Sequence, residues 1–432
     1  MPEGLGGAML SAYGAAGTLL RPVLPLVLRL RAQRGREDPG RLGERKGIAS
    51  APRPPGDLLW VHAASVGETN AVMPLVHRLA EAGWAIVFTT VTVTGATTAA
   101  RSLPPGAIHQ FVPVDVRPWV RRFLAHWRPA AALFVESEIW PVTTGELARL
   151  QVPHVIVNGR MSERAYRSWL RYGKAAHGVF GRIGPVLAQS AADGERMTAL
   201  GAPNVAVLGN LKFDAPPPPA DAAALATLSA QLGRRPRWLA ASTHPGEEGI
   251  VADAHRRLLE RHPTLVTMVV PRHPERGAAI VDALGKGNAS VWLRSRGGAL
   301  GPGPGILVGD TLGELGLFYR LAPVSFVGGS IAPRGGQNPI EPVRLRSAIL
   351  HGPETANFAE IYAALGRAGG AVETPDAATM ASVVARLLGD EATRLRQLVA
   401  AETALEPFSG ALRRTLDALA PILAAARERG GA

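Results

Sequence analysis

The sequence predicts an α/β protein made of two Rossmann-like domains. Apolar runs of strand length alternate with helical patterns in both halves of the chain, and clusters of polar residues repeatedly follow the strands. A proline run near the middle separates the two halves. Strands that alternate with helices form parallel sheets with right-handed crossovers. The chain has 432 residues, and one hydrophobic core stops growing at roughly 250–300 residues, so two domains are expected.

The composition narrows the class of partner. Lysine and arginine number 47 against 35 aspartates and glutamates, and the resulting net charge of +12 favours nucleic acid, anionic lipid or phosphorylated substrates. Aromatic residues make up only 5% of the chain and do not alternate with basic ones, which argues against nucleic acid. Because cysteine is absent, disulfides, thiolate zinc sites and a cysteine nucleophile are excluded.

Residues 1–50 predict a membrane anchor with a basic flank. Residues 4–28 are mostly apolar or small, although Arg21, Pro22 and Pro25 interrupt them. Arginines follow at positions 29, 31, 34 and 36, and basic residues beside an apolar segment favour the cytoplasmic side and its anionic headgroups. We expect the segment to span the membrane or to lie in its interface. The alternative is a disordered basic tail.

Residues 51–215 form the first predicted domain, and its strands end at polar clusters. The predicted strands are 58–63, 84–91, 108–114, 131–135, 152–158, 185–189 and 205–208. Open parallel sheets bind ligands outside the carboxyl ends of their strands. The polar residues after these strands are therefore the candidate site residues of the domain.

The stretch from Trp60 to Glu68 is the most informative of these strand ends. It runs from apolar residues through small ones to Ser65 and Glu68, which have the S-x-x-E spacing of a helix capping box. The predicted helix after it extends to about residue 82. Glu68 is either a cap that only stabilises this helix or a catalytic carboxylate at the edge of a cleft, and the stretch alone leaves both open.

Two other strand ends carry charged residues. Glu136 and Glu138 directly follow the buried run 131–135 and could perform acid–base chemistry. The alternative is that they pair with the arginines of residues 159–164. Lys212 follows the last strand beside Asn210, where its charge could stabilise developing negative charge, unless it is an ordinary surface lysine.

The proline run 216–219 and the alanine-rich helix 220–232 predict a linker over residues 216–236. Residues 237–407 are the second predicted domain, in which the alternation of strands and helices resumes. Residues 408–432 are a last helix, which we expect to pack back on the first domain. Two domains hinged about a linker would form a cleft.

The second domain carries turns suited to phosphate and sugar. Thr311 with Glu314, and Asn338 with Glu341, repeat the spacing of a capping box, and Pro339 would occupy the first helical position. Helix starts bind phosphate through free N–H groups without a metal. Arg272 could add a charge-assisted hydrogen bond, and Glu341 could accept hydrogen bonds from ribose hydroxyls.

Missing motifs restrict the chemistry further. The chain has no G-x-x-x-x-G-K-[ST], no H-E-x-x-H and no G-x-S-x-G motif. It also has no Asp-x-Asp pair, which argues against a sugar nucleotide whose diphosphate is held through a divalent metal. A donor with a single phosphate held by helix termini fits better, with no metal and no cofactor.

Seven motifs in order resemble a known family. They are Ser65-Val-Gly-Glu68, Glu136-Ser-Glu-Ile-Trp-Pro141, Asn158-Gly-Arg-Met-Ser-Glu-Arg164, Gly209-Asn-Leu-Lys-Phe-Asp214, Ser242-Thr-His-Pro-Gly-Glu247, Pro271-Arg-His-Pro-Glu-Arg276, and Gly328-Gly-Ser330 with Gly335-Gly-Gln-Asn-Pro-Ile-Glu341. Together they resemble the 3-deoxy-D-manno-octulosonic acid (Kdo) transferases of lipopolysaccharide synthesis. The resemblance covers about residues 10 to 405.

The resemblance implies a fold, a reaction and a location. The fold would be that of a GT-B glycosyltransferase, with two Rossmann-like domains facing across a cleft and an N-terminal membrane anchor. The donor would be CMP-Kdo, and the acceptor would be the tetraacylated disaccharide precursor of lipid A. The enzyme would work at the cytoplasmic face of the bacterial inner membrane, invert the anomeric centre in one displacement, and bind an anionic membrane surface but no nucleic acid.

The resemblance also implies residue roles. Glu68 would be the general base, and Glu136 and Lys212 would stabilise the transition state. A helix N-terminus is expected to keep Glu68 ionised. The contacts to CMP would come from Pro271, Arg272, Leu312, Gly313, Glu314, Asn338, Pro339, Ile340 and Glu341. Gln337 departs from the family, which usually has histidine there.

Two alternatives remain at this stage. One is another GT-B transferase, or an epimerase, that uses a UDP-sugar. The other is a non-catalytic protein that binds anionic membrane surfaces, which would need no carboxylate at position 68.

Overall fold

The computed structural model describes residues 5–214, 217–285 and 290–430. The chain divides into two compact units, residues 1–215 with 408–432 and residues 216–407. Each unit contains a fully parallel sheet with helices packed on it, which is the Rossmann-like arrangement. The predicted α/β fold class is therefore confirmed.

The first unit is built on a sheet with the strand order β3-β2-β1-β4-β5-β6-β7 in its described part. These strands are β1 (Leu58–His62), β2 (Ala85–Thr90), β3 (Ile108–Phe111), β4 (Ala131–Val135), β5 (His154–Gly159), β6 (Val186–Ala188) and β7 (Val205–Val207). Its helices before the proline run are α1 (Leu5–Leu20), α2 (Leu24–Gln33), α3 (Val66–Glu81), α4 (Val93–Ser102), α5 (Arg117–Trp127), α6 (Pro141–Arg149), α7 (Glu163–Leu170), α8 (Lys174–Phe180) and α9 (Ala191–Ala199).

Strand β1 lies in the middle of this sheet, which explains its continuous apolar run. Leu58 and Trp60 pack into the core on one face, and Leu59 and Val61 pack into the core on the other. Central strands of parallel sheets are buried on both faces, so they read as unbroken apolar sequence. The strand ends at the buried His62. A short loop follows it, and Glu68 lies in the first turn of α3.

The second unit repeats this plan with the strand order β10-β11-β9-β8-β12-β13-β14. Its described strands are β8 (Arg237–Thr243), β9 (Val266–Pro271), β10 (Val291–Leu293), β11 (Gly305–Val308), β12 (Val324–Val327), β13 (Ala348–His351) and β14 (Ala371–Glu373). Its described helices are α10 (Ala222–Leu232), α11 (Glu247–Leu258), α12 (Gly277–Gly285), α13 (Leu315–Leu321), α14 (Ile340–Arg344), α15 (Ala359–Ala368), α16 (Ala377–Gly389) and α17 (Glu391–Leu405).

The segment predicted as a linker, residues 216–236, differs from that expectation. Helix α10 lies within it, and its Leu228 and Leu232 are buried in the core beneath the second sheet. The predicted helix is therefore present, and its burial comes from Leu228 and Leu232, with Leu225 packed beside them. Most of the segment is thus a structural part of the second unit.

The chain then returns to the first unit through the last helix, α18 (Ala411–Gly430). Leu419 and Leu423 of α18 are buried in the core of the first sheet beside α3. Asp214, the last residue of the Gly209–Asp214 motif, accepts a hydrogen bond from the Gly410 N–H at 2.7 Å. The return helix is therefore attached to a candidate site motif.

Helices α1 and α2 occupy the segment that the sequence predicts to be a membrane anchor. α1 packs against α8, and Leu28 of α2 is buried against Val116 and Trp119. In the described part of the chain, no helix is both long and apolar enough to cross a membrane.

Candidate functional site

Glu68 lies at the start of α3, immediately beyond the carboxyl end of β1. Ser65 is the N-cap of α3, and its Oγ accepts a hydrogen bond from the Glu68 N–H at 3.5 Å and donates one to Glu68 Oε1 at 2.8 Å. Glu68 Oε2 accepts from the Ala64 N–H at 2.8 Å. The predicted capping interaction is present, with the N–H of residue 64 in place of that of residue 65. Both carboxylate oxygens are therefore fixed by the loop.

The electrostatic surroundings of Glu68 favour a proton acceptor. Burial raises the pKa of Glu68, and the nearby Glu138 and Glu136 raise it further, while the hydrogen bonds from Ala64 and Ser65 lower it. The net direction is upward. The helix N-terminus alone predicts the opposite direction, because it stabilises the ionised form. Desolvation outweighs the cap here, which strengthens Glu68 as a base.

Glu136 and Lys212 form an ion pair. Glu136 directly follows β4, and its side-chain Oε1 lies 2.7 Å from Lys212 Nζ. Glu136 is only 8% exposed and has a positive φ of 58°, a conformation that is uncommon for a residue other than glycine and often marks a functional site. This ion pair argues against two simpler interpretations. Lys212 is not an ordinary surface lysine, and the partner of the Glu136 side chain is Lys212 and not an arginine of residues 159–164.

The turn that carries Lys212 is held by amide side chains. Asn158 Oδ1 accepts from the Leu211 N–H at 2.8 Å, and Asn210 Oδ1 accepts from the Lys212 N–H at 3.0 Å. Gln189 at the end of β6 links the two, since its Nε2 donates to the Asn158 carbonyl and its Oε1 accepts from Asn210 Nδ2, both at 2.9 Å. Sequence reasoning missed Gln189, because a single glutamine after a short strand carries no recognisable signal.

Glu138 has partners that the sequence did not indicate. Its Oε2 lies 3.4 Å from Nε2 of the fully buried His62 and accepts from Trp140 Nε1 at 2.9 Å. Burial alone would raise the pKa of Glu138, but the contacts with His62 and Trp140 outweigh it and the pKa is lowered. Glu138 is thus held as a carboxylate, and it does not pair with the arginines of residues 159–164.

In the second unit, the predicted CMP residues lie at or after strand ends. Pro271 is the last residue of β9, and Arg272 follows it with an exposed side chain. Glu341 accepts from Asn338 Nδ2 at 3.2 Å, and burial raises its pKa although Asn338 and the charge of Arg272 lower it. A carboxyl group and a guanidinium group near each other suit a ligand that carries both hydroxyl groups and a phosphate.

The two helix starts predicted in this unit are wrong in position. Thr311 does not cap α13, which begins at Leu315 with Glu314 at the N-cap position and no side-chain cap. Glu314 instead accepts from Arg294 at 2.8 and 3.0 Å and from the Thr311 hydroxyl. The competing arginine explains the difference, since a charge-assisted pair is stronger than a cap. Leu312, 84% exposed, and Gly313, with a φ of 85°, lie in the turn before the helix.

The second helix start is shifted as well. Pro339 is the N-cap of α14 and not its first residue, and α14 has only five residues. Asn338 Oδ1 accepts from the Ile340 N–H at 3.0 Å, so the asparagine closes a local turn while its amide nitrogen binds Glu341. With so short a helix, side chains and turn N–H groups, more than a helix dipole, are available to a ligand.

Glu247 is the main residue that sequence reasoning left without a role. It is 1% exposed, and its carboxylate accepts five backbone hydrogen bonds, from His244, Gly329, Ser330, Ile331 and Ala332, at 2.8–3.2 Å. The carboxylate therefore fixes the Gly328–Ser330 turn against the start of α11. The turn is in contact with Gln337, whose Nε2 lies 3.3 Å from His244 Nε2.

Two parallel Rossmann-like sheets, each with polar residues at the carboxyl ends of its strands, are the architecture of proteins with the GT-B fold. A glycosyltransferase from Rickettsia africae ESF-5 shares this fold with a TM-score of 0.57 and 13% identity, over 86% of this chain and 99% of that one.

The sequence comparisons identify the family within that class. The family model described as 3-deoxy-D-manno-octulosonic-acid transferase (kdotransferase) matches residues 40–215. The chain is 35% identical over 395 residues to the 3-deoxy-D-manno-octulosonic acid transferase of Haemophilus influenzae, covering 89% of this chain and 91% of that protein. It is 36% identical over 396 residues to the enzyme of the same name from Bordetella pertussis, covering 88% and 90%.

The chain therefore belongs to the Kdo transferase family. The predicted family, the GT-B fold class and the enzyme class of glycosyltransferase are confirmed. Membership of this family disfavours the alternatives of a UDP-sugar enzyme and of a non-catalytic membrane-surface protein. The roles of the individual site residues stay predictions.

Proposed function

We propose that this chain transfers Kdo from CMP-Kdo to a hydroxyl group of the lipid A precursor in lipopolysaccharide synthesis. The transfer inverts the anomeric centre, requires no metal, and uses Glu68 as the general base. The observation that carries the proposal is the Glu68 carboxylate, which lies at a strand end in a member of the Kdo transferase family and has a raised pKa.

The reaction is a single displacement at the anomeric carbon of Kdo. The proton of the acceptor hydroxyl moves to a carboxylate oxygen of Glu68 while the hydroxyl oxygen forms a bond to the anomeric carbon. The bond between that carbon and the phosphate oxygen breaks, and CMP leaves with the electron pair. Glu68 Oε1 and Oε2 each accept one hydrogen bond from the protein, so each retains a lone pair for the incoming proton.

The ion pair of Glu136 and Lys212 provides the electrostatic part of the mechanism. The ammonium group of Lys212 has three hydrogens, and one of them is directed to Glu136 Oε1 at 2.7 Å. The other two have no hydrogen-bond partner among the residues that the structure describes, and in this proposal they stabilise negative charge that develops in the transition state. Because Glu136 and the amide-supported turn fix the ammonium group in advance, little reorganisation is needed at the transition state.

The donor is bound by the second unit in this proposal. The single phosphate of CMP suits Arg272, and the ribose hydroxyls suit Glu341, which lies close enough to Arg272 for the arginine to lower its pKa. The turn residues Leu312–Glu314 and Asn338–Ile340 complete the predicted contacts to CMP. The Gly328–Ser330 turn, which lies shortly before Asn338 in the chain, is held in place by the carboxylate of Glu247.

The reaction is tested by incubating the full chain with CMP-Kdo and the tetraacylated lipid A precursor and measuring the mass of the product. We expect the acceptor mass to increase by one or more Kdo units, equally well with excess EDTA. Parallel reactions with UDP-sugars should give no product. Transfer from a UDP-sugar alone, or loss of Kdo transfer in EDTA, would contradict the proposal.

We also propose that α1 and α2 hold the enzyme at the cytoplasmic face of the bacterial inner membrane, lying in the interface. Apolar side chains on them are exposed, among them Leu19 at 80% and Leu26 at 58%. Arg21, Arg29 and Arg34 lie among these side chains and are exposed too. Exposed apolar side chains beside arginines are typical of segments that bind anionic bilayer surfaces.

Vesicle sedimentation tests this location. The chain should sediment with vesicles of phosphatidylglycerol and phosphatidylcholine, and less with phosphatidylcholine alone. Replacing Leu19 and Leu26 by glutamate should reduce sedimentation at least about tenfold, because apolar burial and charge attraction are both lost. The matched control is Leu395→Glu with Val399→Glu, two exposed apolar residues of α17. Equal sedimentation of both double variants would contradict this location.

A further inference from the structure

Glu138 is a charged group close to the site for which the proposed reaction has no role. Its side chain is 23% exposed, and only one of its two oxygens, Oε2, has hydrogen-bond partners in the described part of the chain. The other oxygen, Oε1, has no partner there. Glu138 and Glu68 lie at the same edge of the sheet, because they follow the carboxyl ends of the neighbouring parallel strands β4 and β1.

A hydrogen-bond chain from the interior of the sheet holds this carboxylate. Trp60 Nε1 donates to Thr89 Oγ1 at 2.8 Å, which lies 2.9 Å from His62 Nδ1, and His62 Nε2 faces Glu138 Oε2 at 3.4 Å. His62 Nδ1 can accept from the Thr89 hydroxyl or donate to the Thr89 carbonyl 3.1 Å away. When Nδ1 accepts from the Thr89 hydroxyl, the neutral ring carries its hydrogen on Nε2, which faces the carboxylate of Glu138.

Trp140 contacts both Glu138 and His62. Its indole nitrogen donates to the same Oε2, and its ring packs edge-on against the His62 ring with centroids 5.5 Å apart. His62 and Trp140 therefore fix both the position and the charge of Glu138. The pKa values of Glu138 and Glu68 shift in opposite directions. The contacts with His62 and Trp140 lower the pKa of Glu138, and burial raises the pKa of Glu68.

We propose that Glu138 is a positioning residue for the general base: its fixed negative charge keeps Glu68 basic enough to take the proton of the acceptor hydroxyl. The proposal rests on the proposed role of Glu68. A like charge nearby disfavours the ionised form of a carboxyl group and favours its protonated form. The protonated form of Glu68 is the one that results from proton transfer, so Glu138 favours the transfer.

Other charged groups near Glu68 do not replace this role. Glu136 raises the pKa of Glu68 too, but less than Glu138 does, and it is paired with Lys212 at 2.7 Å. His62 lies behind Glu138 and is fully buried. Among these groups Glu138 is the carboxylate that has no lysine or arginine partner in the described structure, and its charge raises the pKa of Glu68 more than the charge of Glu136 does.

The pH dependence of kcat/KM tests the proposal with two variants. Glu138→Gln removes the charge and keeps the size, so the acid limb of the profile should move to lower pH, with a loss on the plateau within about tenfold. Glu138→Asp keeps the charge, so its acid limb should stay at the wild-type position even if the plateau falls. Glu81→Gln, an exposed residue at the opposite end of α3 from Glu68, is the control and should match the wild type.

Several outcomes would overturn the proposal. An acid limb that is unchanged or moves to higher pH in Glu138→Gln excludes a charge effect on the base. An equal displacement in Glu138→Asp assigns the effect to packing. Because the side chain of Glu138 is partly exposed, both variants should fold, and thermal unfolding checks this. If Glu68→Gln retained full activity, the base itself would be misassigned, which is a different failure from an unmoved limb in Glu138→Gln.

Discussion

Replacement of Ser65 by alanine should change both the stability of α3 and the pH dependence of transfer. The Ser65 hydroxyl donates to Glu68 Oε1, and this hydrogen bond lowers the pKa of Glu68. Without it the pKa rises further. Because the base acts only when ionised, activity should begin to fall at a higher pH on the acid side than in the wild type.

The size of the stability change follows from the contacts. Loss of an N-cap costs about 0.5–2 kcal/mol, and the long 3.5 Å bond to the Glu68 N–H indicates the lower part of that range. The hydrogen bond to the carboxylate adds at most about 1 kcal/mol, because Glu68 is half-buried and the gain from charge is partly screened by solvent. We therefore expect a total loss of about 1–2 kcal/mol.

Rate profiles from pH 4.5 to 8 and urea unfolding measure the two effects. Ser190→Ala is the matched control, since Ser190 caps α9 and donates to Asp193 in the same arrangement without touching Glu68. Both variants should lose similar stability, and only Ser65→Ala should move the acid limb to higher pH. An acid limb that stays in place in Ser65→Ala, or moves equally in Ser190→Ala, would refute the reasoning.

Three other predictions concern the ion pair, the donor and the supporting turn. Lys212→Met should lower kcat/KM by about 10²–10³, because a preorganised stabilising charge is lost, as steady-state kinetics would measure. Arg272→Ala should weaken CMP binding about tenfold in calorimetry, the value of one exposed charge-assisted hydrogen bond. Glu247→Gln should lower the urea stability of the second unit by about 3–6 kcal/mol, because its amide group would face two N–H groups.

Each of these has a control in its own unit. Lys174→Met, Arg261→Ala and Glu260→Gln alter exposed residues of the same types and should change kinetics, CMP binding and stability little. Wild-type kinetics in Lys212→Met, undiminished CMP affinity in Arg272→Ala, or an unchanged unfolding midpoint in Glu247→Gln would contradict the corresponding prediction.

Much of the fold follows from local sequence. Strand β1 is predictable because a strand buried on both faces must be apolar throughout, and Ser65 is predictable as a cap because its spacing to Glu68 is local. The same reasoning locates Lys212 after the last strand of the first sheet. These features depend on residues a few positions apart, which is the range over which sequence patterns carry information.

Long-range pairing is what the sequence does not contain. Lys212 and Glu136 are 76 positions apart, as are His62 and Glu138, and only the strand order brings them together. The helix start predicted at Thr311 is wrong for the same reason. Arg294, 20 positions away from Glu314, binds the same carboxylate that accepts from the Thr311 hydroxyl, and the helix begins only at Leu315.

Glu247 shows a second limit. In sequence it reads as an acidic residue in the first turn of a helix, where such residues are favoured by the helix dipole. Its five backbone hydrogen bonds come mostly from a turn more than 80 positions further along the chain. A buried carboxylate that organises a distant turn has no local pattern that distinguishes it from an exposed cap.

The most direct test of the central claim is a comparison of Glu68→Gln with the wild type under single-turnover conditions, with CMP-Kdo and the lipid A precursor. Binding of CMP and thermal unfolding are measured on the same preparations. We predict that product formation falls by about 10²–10⁴, the usual contribution of a general base, while CMP affinity and folding are retained. Product formation at the wild-type rate would contradict the role of Glu68 as the base.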